Sequence, residues 1–174
     1  MPDIRTDRLI LREPRMGDAE PLMAIFGDPE AMRYITQGRT RSLEQVRESM
    51  QKRIDCLDAH GFTLWTVVLA DTNQVIGDCG IIPIDWTGPE FELAYRFVPS
   101  VWGRGYATEA GIAAMEHAWH ASTLGTIFGV TDLDNTASQR VLTKIGFADL
   151  GTTDRYYDAE LRLFRLDRPA NNQP

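Results

Sequence analysis

The segment with the clearest potential for chemistry is a short turn that contains two glycines. The string Trp102-Gly103-Arg104-Gly105 leads directly into an alanine-rich, helix-favouring stretch that begins at Tyr106. The first N–H groups of a helix have no partner within the helix and carry the positive end of its dipole, so they can hold a phosphate group. Gly103 and Gly105 allow the backbone to approach such a group closely, and Arg104 adds a positive charge. A tight turn without a ligand is the plainer interpretation of this motif taken alone.

Two better-known phosphate-binding motifs do not fit this turn. A Rossmann fingerprint requires G-x-G-x-x-G, and Thr108 stands where its third glycine belongs. A P-loop requires G-x-x-x-x-G-K followed by Ser or Thr, and the sequence contains no such string. A kinase or nucleotide hydrolase is therefore disfavoured.

The strand predicted just before the turn carries charges on only one of its faces. Side chains alternate along a strand, so one face presents Glu90, Glu92, Ala94 and Arg96, and the other presents Phe91, Leu93, Tyr95 and Phe97. We expect the apolar face to meet the core. The charged face either meets water along an exposed strand or lines a cleft, where a carboxylate can accept a proton from a nucleophile.

A third segment predicts a capped amphipathic helix near the end of the chain. Asn135 is a typical N-cap residue, Gly146 a typical helix stop, and Phe147 supplies the hydrophobic contact that often follows such a stop. Capping leaves Ser138, in the first turn, without an assigned role, although serine is common in that position.

The chain resembles the GNAT acetyltransferases, and more closely their Rim-type branch of ribosomal-protein acetyltransferases, because it has three of their sequence segments in the same order. The resemblance covers nearly the full length and includes residues 6–12 (TDRLILR), 102–110 (WGRGYATEA) and 135–147 (NTASQRVLTKIGF). The family turn is usually R/Q-x-x-G-x-G/A. Here Ser100 takes its first place, so that side chain's contact is lost while both glycines remain.

The resemblance implies acetyl-coenzyme A as cosubstrate, with no metal. It assigns the coenzyme A pyrophosphate to the backbone of Gly103, Arg104, Gly105, Tyr106, Ala107 and Thr108. It also implies that main-chain groups of Phe97 and Val98 pair with the pantetheine arm, and that Asn135 contacts this arm.

The same resemblance implies transfer of an acetyl group directly to a primary amine, at a protein N-terminus or on a small molecule. Glu92 stands where many members carry a general base, and Ser138 where the Rim-type branch has a serine credited as general acid. Many members have a tyrosine where this chain has Leu142. That departure keeps an alternative open, a noncatalytic acyl-coenzyme A sensor or scaffold. Tyr156 and Tyr157 are candidates to border the acceptor site.

The order of predicted elements is β-α-α-β-β-β-α-β-α-β-β, which indicates an α/β (α+β) domain with helices packed on a mixed sheet. The resemblance implies the GNAT fold, with about seven strands splayed at the coenzyme A site and about four helices. We predict one domain over residues 1–168 and a disordered tail over residues 169–174.

Composition narrows the class of partners. Subtracting 25 acidic from 18 basic residues gives a net charge of -7, which disfavours binding to nucleic acid or to an anionic membrane.

The sequence contains no secretory signal and no apolar stretch near the ~20 residues of a membrane helix. Cys56 and Cys79 form no metal motif, and His117 with His120 is better explained as a solvated helix face. These features predict a cytoplasmic protein; a homodimer and the identity of the acceptor are left open.

Overall fold

A computed structural model describes residues 3–170 of the chain. Residues 171–174, most of the predicted tail, lie outside the described residues, so the boundary at residue 168 stays a prediction. The described chain forms one eight-stranded mixed sheet and five α-helices. The strands are β1 (Ile4–Arg5), β2 (Leu9–Arg12), β3 (Leu64–Leu69), β4 (Val75–Pro83), β5 (Phe91–Phe97), β6 (Thr126–Asp132), β7 (Ala148–Thr153) and β8 (Leu161–Asp167).

The strand order across the sheet is β1-β2-β3-β4-β5-β6-β8-β7. All neighbouring strands are antiparallel except β5 and β6, which are parallel. Parallel neighbours require a crossover, and it is made by the fourth of the five helices. The helices are α1 (Ala19–Phe26), α2 (Pro29–Met32), α3 (Leu43–His60), α4 (Tyr106–Ala121) and α5 (Thr136–Ile145).

Helix boundaries follow local signals in the sequence. The Ser42 hydroxyl accepts the N–H of Gln45 at the start of α3, while the Gln45 side chain accepts the N–H of Ser42. Gly61 ends this helix in the left-handed conformation, with φ of 75°. Asn135 caps α5 by accepting the N–H of Ser138. These caps satisfy backbone groups that helix ends otherwise leave unpaired.

The sheet and helices each contain one short element more than predicted. The strand β1 adds two residues that pair with β2. The helix α2 is a single turn, formed because Asp28 accepts the N–H groups of Glu30 and Ala31 and Pro29 occupies the first turn. Proline is well tolerated there, since its missing N–H would be unpaired in any case.

Helices cover both faces of the central strands. Leu93 contacts α4 at Gly111, where an added Cβ would lie 3.3 Å from the leucine and 2.7 Å from Ile145 of α5. Ala94, the next residue on β5, packs against a cluster that includes Cys56 of α3. Successive strand residues point to opposite faces, so α3 and α4 lie on opposite sides of the sheet. The missing side chain at Gly111 lets α4 approach both β5 and α5 closely.

Candidate active site

The sheet parts between its two parallel strands. The strand β5 pairs with β4 along its whole length, from Phe91 to Phe97. It pairs with β6 at one position only, where Glu92 lies opposite Phe128. Beyond that position β5 runs on without pairing to β6. The predicted splay is therefore present, with Glu92 at the point where it opens.

The backbone of β5 presents Phe97, rather than Val98, to this gap. The Val98 N–H donates to the carbonyl of Ile76 on β4 at 2.9 Å, and its carbonyl accepts the N–H of Val101 at 3.1 Å. Antiparallel pairing alternates direction, so the main-chain groups of Phe97 point away from β4. The Phe97 carbonyl accepts the indole N–H of Trp102 at 2.7 Å. Of the two residues predicted to pair with pantetheine, the geometry favours the Phe97 N–H.

The glycine turn leaves the start of α4 without a side-chain cap. Gly105 is the N-cap residue, in the left-handed conformation with φ of 83°, and it provides no side-chain cap for the first N–H groups. The N–H of Glu109 bonds back to Gly105, so the three N–H groups before it stay available. Residues 103–105 are exposed. An exposed helix start with three donor groups fits the pyrophosphate of coenzyme A.

The beginning of the chain holds this turn in place. The Arg8 side chain donates to the carbonyl of Arg104 at 2.9 Å and to the Glu109 carboxylate at 2.7 Å. Its guanidinium carbon also lies 4.6 Å from the centre of the Tyr106 ring. Thr6 donates to the other oxygen of Glu109 at 2.6 Å. Thr6 and Arg8 therefore hold the glycine turn in place. The sequence patterns alone had assigned no role to this segment.

Glu92 is buried, with only 4% of its surface exposed. Burial raises the pKa of its carboxyl to about 7, against the lowering effects of a hydrogen bond from Tyr157 and of the charge on Arg96, while Asp85 adds to the rise. The Tyr157 hydroxyl donates to Glu92 and accepts the backbone N–H of Asp85 at 3.0 Å. A carboxyl with a pKa near neutrality can take up and release protons under physiological conditions.

A cavity of about 320 Å³ lies on the outer side of Tyr157. Its wall comes from residues 84, 85 and 87–90, between β4 and β5, and from residues 155–158, between β7 and β8. The Tyr156 hydroxyl donates to the Glu90 carboxylate at 2.6 Å, and Arg155 pairs with the same carboxylate at 3.1 Å. Glu92 lies behind Tyr157 rather than in the cavity wall. Tyr157 therefore connects the cavity wall to the buried carboxyl.

The backbone is strained on both sides of this cavity. Asp85, Trp86, Tyr157 and Asp158 all have positive φ, between 50° and 60°. Residues other than glycine adopt this conformation at an energetic cost, and such residues cluster at functional sites. Two strained pairs thus meet at the hydrogen bond between the Tyr157 hydroxyl and the Asp85 N–H.

Ser138 lies beside a second tyrosine that sequence patterns assigned only to the core. The Tyr95 hydroxyl is 2.7 Å from Ser138 Oγ and donates to the Ser138 carbonyl at 3.0 Å. Burial raises the pKa of Tyr95 above its usual range. Tyr95 and Glu92 are three residues apart on β5, so they lie on opposite faces of the strand. A buried aromatic hydroxyl needs a polar partner. A tyrosine on the core face of β5 was therefore the sequence signal that a polar side chain would lie beside it.

Asn135 and Arg104 contribute in simpler ways. The Asn135 side-chain oxygen accepts the Ser138 N–H at 3.1 Å, which leaves its amide nitrogen for another partner. Arg104 is exposed, and its carbonyl accepts a hydrogen bond from Arg8.

Across residues 3–170, no group of three or more His, Cys, Asp or Glu side chains is arranged to hold a metal ion. Over the same residues, no helix is long and apolar enough to cross a membrane.

Residues 8–148 match the family described as the acetyltransferase (GNAT) domain. The chain belongs to the GNAT acetyltransferase family. Among its relatives, the N-acetyltransferase YoaA of Bacillus subtilis (strain 168), described as uncharacterized, is 31% identical over 155 residues, which are 89% of this chain and 88% of YoaA. The predicted family and enzyme class are therefore confirmed.

Solved GNAT structures agree with this fold. An acetyltransferase from Agrobacterium tumefaciens str. C58 superposes with a TM-score of 0.82 at 25% identity, covering 97% of this chain and 95% of that one. RimL, the ribosomal L7/L12 alpha-N-protein acetyltransferase, solved in complex with coenzyme A, gives a TM-score of 0.76 at 17% identity, with 95% and 98% covered. GNAT acetyltransferases use acetyl-coenzyme A and act on amine acceptors, and RimL is a fold neighbour from the predicted branch.

Proposed function

We propose that this protein transfers the acetyl group of acetyl-coenzyme A directly to a primary amine, with Glu92 as general base. The observation that carries the proposal is the position of Glu92. Its buried carboxyl, with a pKa near 7, lies where β5 and β6 part and is joined through Tyr157 to the adjacent cavity. A base of this pKa is matched to removing a proton from an amine near neutral pH.

Binding of acetyl-coenzyme A is supported by three features that the chain itself provides. The uncapped start of α4, with the turn at Gly103–Gly105, would hold the pyrophosphate. The Phe97 N–H would pair with the pantetheine arm, and the free amide nitrogen of Asn135 would donate to it. When bound, the cosubstrate supplies an acyl thioester that an amine can attack. Val98 contributes packing in this proposal, since its main-chain groups are already bonded.

The acceptor amine would enter the cavity in front of Tyr157. An amine arrives protonated and must lose a proton before it can act as a nucleophile. The Tyr157 oxygen accepts one hydrogen bond, from Asp85, and retains a second lone pair for the amine. Tyr157 can then pass its own proton to Glu92 while it takes one from the amine, so its charge does not change. The buried carboxyl becomes neutral and the amine becomes reactive.

The proton that the departing thiolate needs would come from the other face of β5. Ser138 and Tyr95 share a hydrogen bond there, and we assign them jointly as the general acid. A thiol of pKa ~8.5 is a tolerable leaving group without help, so this contribution is modest. Backbone N–H groups of β5 that face the gap would stabilise negative charge developing on the thioester oxygen.

The proposal is tested by an acceptor screen that follows release of free thiol. Peptides with free N-termini and small amines are compared, because RimL-type fold neighbours act on a ribosomal protein while the cavity of about 320 Å³ also suits a small molecule. Acetylated product with at least one amine, lost in Glu92→Gln, is the expected result. Binding of coenzyme A without turnover on any amine would instead favour the noncatalytic sensor.

A further inference from the structure

Three guanidinium groups surround one aromatic ring, on the face of the sheet that α1 and α3 cover. The ring belongs to Phe26, the last residue of α1. The guanidinium carbons of Arg96, Arg41 and Arg53 lie 5.0, 5.3 and 5.8 Å from its centre. They come from β5, from the segment before α3, and from α3 itself. We call these three residues the arginine cluster.

Within residues 3–170, one carboxylate forms hydrogen bonds to this cluster. Asp78, fully buried on β4, accepts from Arg53 at 2.9 Å and from Arg96 at 2.8 Å. Three positive charges against Asp78 leave an excess of two, which the Glu92 carboxyl, influenced by Arg96 and with a pKa of about 7, offsets only in part. The neighbouring ion pair of Arg12 with Asp18, at 2.6 Å, is neutral by itself and does not change this balance. Buried charge that lacks a partner is unfavourable, so a surplus of this size requires an explanation.

Several donor groups of the cluster have no partner within residues 3–170. Arg53 is completely buried, yet its Nε and one terminal nitrogen, Nη1, form no hydrogen bond there. The Arg41 guanidinium contacts Phe26 and makes no hydrogen bond or ion pair in the same range. Burial lowers the pKa of Arg53 to about 10 and also lowers that of Arg41. Orphaned buried donors of this kind commonly mark a missing water or ion.

We propose that the arginine cluster is a binding site for an anionic group of carboxylate or phosphate type, held against Phe26. Guanidinium groups match these ligands because each offers paired N–H donors in a planar fork. The Arg96 side chain is 13% exposed and Arg41 is half-buried, so the anion enters from their side. Arg53 lies at the inner end, where its Nε and Nη1 are buried and unpaired.

The anionic group has two sources, the acceptor molecule itself or a free anion. Arg96 and Glu92 lie on the same face of β5, four residues apart, which corresponds to roughly 13 Å along a strand. An acceptor that carries both an amine and an anionic group would then be recognised at both ends. Recognition of the acceptor rests on the proposed function, whereas anion binding does not.

The first experiment measures anion binding without catalysis. The full chain, saturated with coenzyme A to occupy the turn at Gly105, is heated with and without inorganic phosphate at constant ionic strength. Phosphate at about ten times its Kd should raise the Tm by roughly 3–6 °C. Arg41→Gln should abolish this rise. Arg39→Gln, an equal change of charge two residues away on an exposed side chain bonded to Thr36, should retain it.

Either of two results would overturn the anion site. The Tm of the wild type could be unchanged by phosphate, or it could rise equally in wild type and Arg41→Gln; each would mean that the cluster binds no anion. Arg53→Met is avoided as the primary variant because it removes a fully buried side chain. Arg96→Gln provides a second test, since this side chain is partly exposed and Asp78 keeps its bond to Arg53.

The second experiment distinguishes the two sources. Acetyl transfer is measured with a tetrapeptide, whose amine and C-terminal carboxylate lie about 13 Å apart when it is extended, and with its C-terminal amide, in wild type and in Arg41→Gln. If the acceptor carries the anion, the KM of the free-acid peptide should rise about tenfold or more in Arg41→Gln while that of the amide is unchanged. Equal effects on both, combined with a phosphate-dependent Tm, would overturn the acceptor as the source in favour of a free anion. Absence of transfer with any amine would contradict the proposed function and leave the Tm result standing.

Discussion

The Tyr157 hydroxyl bridges the buried Glu92 carboxyl and the backbone N–H of Asp85. Tyr157 and Glu92 are 65 residues apart in the chain, and their hydrogen bond joins the loop before β8 to the centre of the sheet. Tyr157 lines the cavity, whereas Glu92 does not. A proton exchanged between the cavity and Glu92 therefore has a direct route through this hydroxyl.

Replacement of Glu92 by glutamine should leave the fold and coenzyme A affinity unchanged and lower kcat by roughly 10²–10⁴-fold. Glutamine has nearly the same shape but cannot accept the amine's proton. The loss should shrink at high pH, where more of the amine is already deprotonated. Steady-state kinetics from pH 6 to pH 9.5, with coenzyme A titrated by calorimetry, measure both effects. Wild-type activity at neutral pH would remove Glu92 as the base and direct attention to Glu90.

Replacement of Tyr157 by phenylalanine should move the acid limb of the pH–kcat/KM profile upward by about one to two units. The hydroxyl stabilises the ionised carboxylate and so lowers the pKa of Glu92, and its removal must raise that pKa further. The charges of Arg96 and Asp85 also act on this carboxyl and are unchanged in the variant. Activity should recover in part at high pH.

Tyr156→Phe is the matched control for that shift. The Tyr156 hydroxyl donates to Glu90 instead of Glu92, so its loss can alter the KM of the amine without moving the acid limb. A purely structural role for Tyr157 predicts a lower Tm and a uniform loss of rate at every pH. An unshifted profile in Tyr157→Phe would contradict the hydrogen bond from Tyr157 to Glu92, on which the relay depends.

Replacement of Gly105 by valine should raise the KM for acetyl-coenzyme A sharply. Gly105 has φ of 83°, which a β-branched residue adopts only with strain, and a Cβ would lie 3.5 Å from the Arg8 side chain. The start of α4 would then shift away from the phosphate groups. Gly125→Ala is the control, because nothing lies within 4 Å of its Cβ position and its φ is ordinary. Unchanged coenzyme binding in a folded Gly105→Val protein would refute the placement.

Ser138→Ala and Tyr95→Phe should each lower kcat by about tenfold, and the double variant should be little worse than either single one. The two hydroxyls share one hydrogen bond, so removing either breaks the same donor path. A double-mutant cycle at saturating acetyl-coenzyme A measures this coupling. Additive losses of kcat in the double variant would mean that the two hydroxyls act independently. Full activity in Ser138→Ala with a crippled Tyr95→Phe would assign the acid to the tyrosine alone.

Short-range patterns in the chain predicted much of the fold and part of the candidate site. The Ser42–Gln45 capping box, the Asn135 cap and the glycine stops act within a few residues, so their geometry is encoded locally. The glycine turn before α4 is local for the same reason. The alternation along β5 correctly separated the face of Glu92 from the face of Tyr95.

What those faces contact depended on packing between distant segments. The polar face is covered unevenly: Glu92 is covered by Tyr157, Arg96 is bonded to Asp78, and Glu90, just before β5, lines the cavity. Tyr95 reaches Ser138 across 43 residues of sequence. The alternation of residues along a strand specifies the face to which a side chain points. The partner of that side chain depends on how helices and loops pack on the sheet. Burial then sets the proton affinity of Glu92, which no residue type or spacing could have revealed.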